Sequence, residues 1–85
     1  MDSLPVEHAV LVCLTPDESR AAAVFAEAAL LAEELKAPLT VVHLYPENWG
    51  GPLRAHPNAW HLKSDEPAEA VKRFAARRRI THILS

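Results

Sequence analysis

The chain has one cysteine, Cys13. No internal disulfide can form, and a lone thiol suits a reducing compartment, so a cytoplasmic setting is expected. Glycine is almost as scarce: Gly50 and Gly51 are the only two, and they are adjacent. No apolar run therefore feeds into a glycine-rich phosphate cradle. The longest apolar stretch, around Ala21–Ala32, is broken by Glu27. It falls short of the roughly 18 residues a membrane-spanning helix needs. The opening "MDSLPVEH" is acidic, contains Pro5 and does not read as a signal peptide. Neither sign of charge dominates, and the net charge of -2 argues against nucleic acid as the main partner. Ser19, Ser64 and Ser85 lack a nucleophile-elbow sequence, and Asp65 with Glu66 looks like a helix start. An enzyme is not expected.

What remains is a well-patterned single domain over residues 1–85. "HAVLVCL" (8–14) is a continuous, Val-rich apolar run, the signature of a strand buried on both faces. "TPDES" follows, with Thr15 as a candidate cap and Pro16 suited to a first turn. Val24, Phe25, Ala28, Leu31, Ala32 and Leu35 recur at three- and four-residue spacing, which predicts a helix ending before Pro38. "LTVVHLY" (39–45) is a second β-branched strand. Residues 46–58 then form a long loop, rich in Pro and holding both glycines and Trp49. "AWHLKS" predicts a short third strand near 59–63. "DEPAEAVKRFAARRR" predicts a helix capped by Asp65, with Pro67 in its first turn and Ala68, Val71, Phe74 and Ala75 facing the sheet. "ITHILS" gives a fourth strand near 80–84.

Two strand–helix–strand units with short connections predict an α/β fold, Rossmann-like, with a mostly parallel four-strand sheet. The simplest strand order is 3-2-1-4. The switch point then lies between strands 1 and 4, and Leu14, Thr15, Pro16 and Asp17 lie beside whatever follows Ser85.

With that order, "VLVCLTPDESRAAAVFAEAALLAEELKAPLTVVHLY" resembles the opening of universal stress protein domains, in the variant carried by KdpD-type potassium sensor kinases. "DEPAEAVKRFAARRRITHILS" resembles a later helix and strand of that family. The resemblance implies an adenine nucleotide alpha hydrolase-like fold and a stress-response or signalling role. It also exposes two departures. The 46–58 loop stands where the family has a helix, and the sequence stops at Ser85, where a glycine-rich ATP loop would begin. A minimal or truncated version of the family is expected, and ATP is not expected to bind without that loop. Cyclic di-AMP recognition in KdpD-type domains uses a Ser-x-Ser loop and a Phe-Thr-Ala-x-Tyr strand, of which only Thr40 is present. The candidate ligand residues are Thr15, Asp17 and Ser19 in the first loop, with Thr40 and His43 on the second strand.

Other features weigh toward structural roles. His43, His56, His61 and His82 are too scattered for a metal site. Cys13 reads as a small core residue. Trp49 and Trp60 read as plugs where the missing helix would have packed, and Arg77–Arg79 as a solvated helix end. A domain this small gains from association. Ile80, His82, Ile83 and Leu84 on a terminal edge strand are the candidate surface for a homodimer. The expected function is a non-catalytic regulatory module acting through dimerisation or a signalling partner. The alternatives are an adenine-nucleotide sensor (ATP or cyclic di-AMP) and a structural assembly subunit.

Overall fold

A computed structural model of the chain describes residues 7–53 and 59–85. His56 and part of the 46–58 loop lie outside the described residues. The elements run β1 (Val10–Leu14), α1 (Glu18–Leu35), β2 (Leu39–Tyr45), β3 (Ala59–Lys63), α2 (Pro67–Arg77) and β4 (His82–Leu84). All pairings are parallel and the order is β3-β2-β1-β4, as the connection pattern predicts.

The sheet separates two cores. Val10, Val12 and Leu14 of β1 pack with Ala21, Ala28 and Ala32 of α1 on one face. Leu11 and Cys13 pack with Val42, Val71, Phe74 and Ala75 on the other, under α2. Every residue of β1 is buried, which is what a continuous apolar run in the middle of a parallel sheet requires. Register carries the alternation across the sheet: Val10 opposes Leu39 and His82, and Leu11 opposes Thr40 and Ile83.

Several local details differ from the sequence reading. Asp17 rather than Thr15 caps α1, its carboxylate accepting from the backbone N–H of Arg20 at 3.2 Å. Pro16 therefore precedes the helix. Asp65 does not cap α2; its Oδ1 accepts from the Glu47 N–H at 3.1 Å and ties the loop after β2 to the loop after β3. Glu66 takes the cap position without a side-chain bond, and the Ser64 hydroxyl accepts from the Glu66 N–H at 3.0 Å. Ala68 is exposed rather than turned to the sheet.

The end of α2 also departs from a solvated triplet of arginines. The Arg78 guanidinium lies 4.3 Å from the centre of the Trp60 ring and 3.9 Å from that of Phe74. Trp60 is thus no core plug: it is half exposed, edge-on to Phe74 and roofed by a cation. Trp49 does pack inward, its ring 5.5 Å from that of Tyr45. Gly51 permits this, because a Cβ there would stand 2.9 Å from the Trp49 ring.

β1 and β4 are shorter than their apolar runs. Arg79 adopts φ 53, a left-handed turn that takes Ile80 out of β4 and into the α2-side core. Thr81 then fastens the two strand starts together. Its hydroxyl accepts from the Ala9 N–H at 2.9 Å, and the Thr81 N–H donates to the Ala9 carbonyl at 2.9 Å.

Candidate functional site

A cleft of about 890 Å³ opens at the carboxyl ends of the strands, where β1 and β4 part and the two crossovers run in opposite directions. Open α/β sheets bind ligands in this crevice, and the size falls in the range of small-molecule sites. The floor includes Cys13, Leu44 and Ile83. One wall is the start of α1, with Asp17, Arg20, Ala21 and Val24; the opposite wall is the start of α2, with Pro67, Ala68 and Val71. Thr15, Ser64 and Ser85 bring hydroxyl groups to the cleft, and Asp65 brings a second carboxylate.

The sequence produces this arrangement locally. β1 runs straight into a polar turn, so Thr15 and Asp17 must lie at its carboxyl end. α2 begins right after β3, so Ser64 and Asp65 lie at the carboxyl end of that strand. Both carboxylates are fixed by backbone donors, Asp17 by Arg20 and Asp65 by Glu47. The Cys13 thiol below them is buried, and burial pushes its pKa up to about 11. It is a neutral, inert thiol at physiological pH.

The five candidate ligand residues are not brought together. Thr15 and Asp17 line the cleft with Ser85, as the strand order implies. Ser19 is exposed in the first turn of α1 and is not a lining residue. Thr40 opposes Leu11 near the start of β2, at the other end of the sheet. His43 is buried and opposes His61 across β2 and β3, with ring centres 5.3 Å apart and nearly parallel. The His61 ring stacks in turn on Tyr45, at 5.9 Å. Trp49, Tyr45, His61 and His43 thus form a continuous aromatic ladder on the α1 face of the sheet. Among the described residues no three His, Cys, Asp or Glu side chains converge for a metal ion.

Arg20, Ser64 and Asp65 are cleft residues that the sequence reading did not single out. Their signal was positional: each follows a strand's carboxyl end or sits one turn into the next helix. The candidate association residues divide as well. Ile80 and Leu84 pack against the two cores, and His82 lies 5.5 Å from the His8 ring. Ile83 alone presents a large apolar surface, at 51% exposure. Among the described strands β4 lies at the edge, bonded to β1 alone.

No family model, curated protein or solved structure matches this chain. No helix among the described residues is long and apolar enough to cross a membrane.

Proposed function

We propose that this chain is a non-catalytic, cytoplasmic regulatory module of the universal stress protein type. It holds a small ligand in the switch-point cleft and passes the bound state to a second copy or a signalling partner through the β4 edge. The observation that carries this reading is the cleft itself, set at the reversal point of a parallel sheet and walled by the first turns of both helices. Among the described residues neither histidine nor lysine lines it, so no described imidazole or amine base stands beside its Thr and Ser hydroxyls to make a nucleophile. Adenine nucleotides fit less well. The Arg20 N–H that would greet a phosphate is already taken by Asp17, and no glycine lines the cleft to let a backbone approach.

The test is a metabolite screen followed by nitrogen–proton NMR on the isolated chain. The expected result is a ligand that shifts Thr15, Asp17, Ser64 and Ile83 and is recovered unchanged. A ligand that is turned over would overturn the non-catalytic assignment. Shifts confined to other faces would overturn the cleft. A purely structural role is the second reading, favoured by the exposure of Ile83. It predicts a dimer whose stability is indifferent to every compound in the screen.

A further inference from the structure

The two helices carry opposite charge on their outward faces. Between Ala21 and Leu35 of α1 the charged residues are Glu27, Glu33 and Glu34, all exposed, with no cation among them. Between Ala70 and Arg79 the charged residues are Lys72, Arg73, Arg77, Arg78 and Arg79, with no acid among them. Arg78 is engaged over Trp60 and Phe74, while Lys72, Arg73, Arg77 and Arg79 are exposed. Residues 67–85 carry a side-chain net charge of +4, five cations against Glu69 alone. Residues 1–66 carry -6, four cations against ten acids, which together give the -2 of the whole chain. The chain is therefore polarised, and the sign changes from one outer layer to the other.

Each outer face also has an apolar centre. Leu30 lies three residues from both Glu27 and Glu33, and at 63% it is the most exposed large hydrophobic side chain among the described residues. Ala21, Ala28 and Ala32 hold the other side of α1 against the sheet. On α2, Ala76 is exposed, three residues from Arg73 and four from Lys72, while Val71, Phe74 and Ala75 face the sheet. Residues at these spacings share one helix face. The acidic stretch from Glu27 to Glu34 covers about 10 Å of helix axis and the basic stretch from Lys72 to Arg77 about 8 Å. The two faces thus match in length and oppose in sign, with a projecting leucine on one and a small alanine on the other. They lie on opposite sides of the sheet and cannot meet within one molecule. A two-fold pairing through either helix alone would set like charges together. The complementary contact runs from α1 of one copy to α2 of the next, head to tail. A nucleic acid or a membrane suits the basic stretch less well, because it is short and the exposed Glu66 and Glu69 precede it on the same helix.

We propose that the outer face of α2 docks on the outer face of α1 in a second copy of this chain. Lys72, Arg73 and Arg77 meet Glu27, Glu33 and Glu34, and Leu30 is covered by the surface around Ala76. The contact is separate from the β4 edge. Exposed ion pairs supply much of it, so it is weak and salt-dependent. Sedimentation velocity of the intact chain tests it at about 50 mM and about 500 mM salt. At low salt the average mass is expected to rise with concentration beyond that of a dimer. At high salt the larger species are expected to disappear, leaving whatever the β4 edge holds together. Arg73→Glu with Arg77→Glu reverses the α2 face, and Glu27→Lys with Glu33→Lys reverses the α1 face, all at exposed positions. Each pair of substitutions is expected to weaken the assembly at least about tenfold. Mixing the two variants is expected to restore it, and so is placing all four substitutions in one chain, which a loss of folding could not do. The proposal falls if the parent chain gives nothing larger than a dimer at low salt, or if the larger species ignore salt. It falls equally if either reversed variant assembles as the parent does, or if neither the mixture nor the fourfold variant recovers assembly. If the parent instead stays small and binds single-stranded DNA or phosphatidylserine vesicles through Arg73 and Arg77, the α2 face serves a polyanion and the proposal is overturned.

Discussion

Each edge of the sheet leaves one large hydrophobic side chain about half exposed, and the two edges treat it in opposite ways. Trp60 on β3 is 50% exposed and Ile83 on β4 is 51% exposed, and both point to the α2 face. At the β3 edge, Phe74 meets the indole edge-on and Arg78 covers both rings. At the β4 edge nothing comparable lies over Ile83 among the described residues, and the strand is only three residues long. Fractional exposure alone does not distinguish these sites. What distinguishes them is whether a charged group of the same chain has been laid across the apolar atoms. A guanidinium on the surface leaves that edge hydrated and finished. A branched aliphatic side chain beside unpaired strand groups leaves the other open to association.

Removing the support of the β3 edge should have the largest effect. Phe74→Ala takes out a buried ring that underlies Trp60 and Arg78, and should cost about 3–5 kcal/mol in urea unfolding. A loss below about 1 kcal/mol would show that the edge does not depend on this cluster.

The strand between the edges provides a pH-dependent control. The Cys13 thiol is raised from 9.0 to about 11 in the folded chain. The unfolded chain therefore loses this proton first, and its contribution is constant below pH 9. The contribution then declines as pH rises from 9 to about 11, by up to about 3 kcal/mol. Cys13→Ala should flatten that part of the alkaline stability curve. Equal slopes for the two proteins would show that the thiol is not held in the core as described.

At the open edge, Ile83→Lys should weaken self-association at least about tenfold, roughly 1.4 kcal/mol, with little change in the stability of the monomer. Sedimentation equilibrium of both proteins measures this. A monomeric parent chain at high concentration would remove the dimer. The smallest effect is expected for Arg78→Gln, which keeps the length of the side chain and removes its charge. It should cost about 1 kcal/mol and shift the Trp60 fluorescence to the red. An unchanged spectrum would make the guanidinium incidental to that edge.

The strands and their order were legible because they rest on long-range hydrophobic logic written into local pattern. A Val-rich run without alternation has to be central, and a short parallel crossover has little choice of hand. Caps and clamps were not legible in the same way. Thr15 and Asp17 are both competent caps two residues apart, and backbone geometry decides between them. Asp65 looks like a cap until Glu47, eighteen residues earlier, claims its carboxylate. Arg78 looks like one of three solvated arginines until β3 places Trp60 beneath it. The end of α2 was hidden by residue type, because Arg79 makes the left-handed turn that glycine would have announced. The cleft lay between: its place followed from strand order, while its lining needed the positions of residues drawn from both helix starts and three strands.

The clasp between Thr81 and Ala9 joins residues 72 apart in sequence. β1 therefore waits for its second neighbour. The β1–α1–β2 unit can assemble as soon as it is made, with Leu11 and Val12 still bare on the flank that β4 will cover. At synthesis rates of about 5–20 residues per second, the stretch from Tyr45 to Thr81 keeps that flank open for roughly 2–7 seconds. Any second strand of suitable pattern present in that interval competes with β4 for the same backbone groups. The hydroxyl of Thr81, absent from a generic apolar strand, gives the rightful partner two extra hydrogen bonds with Ala9 at the moment of choice.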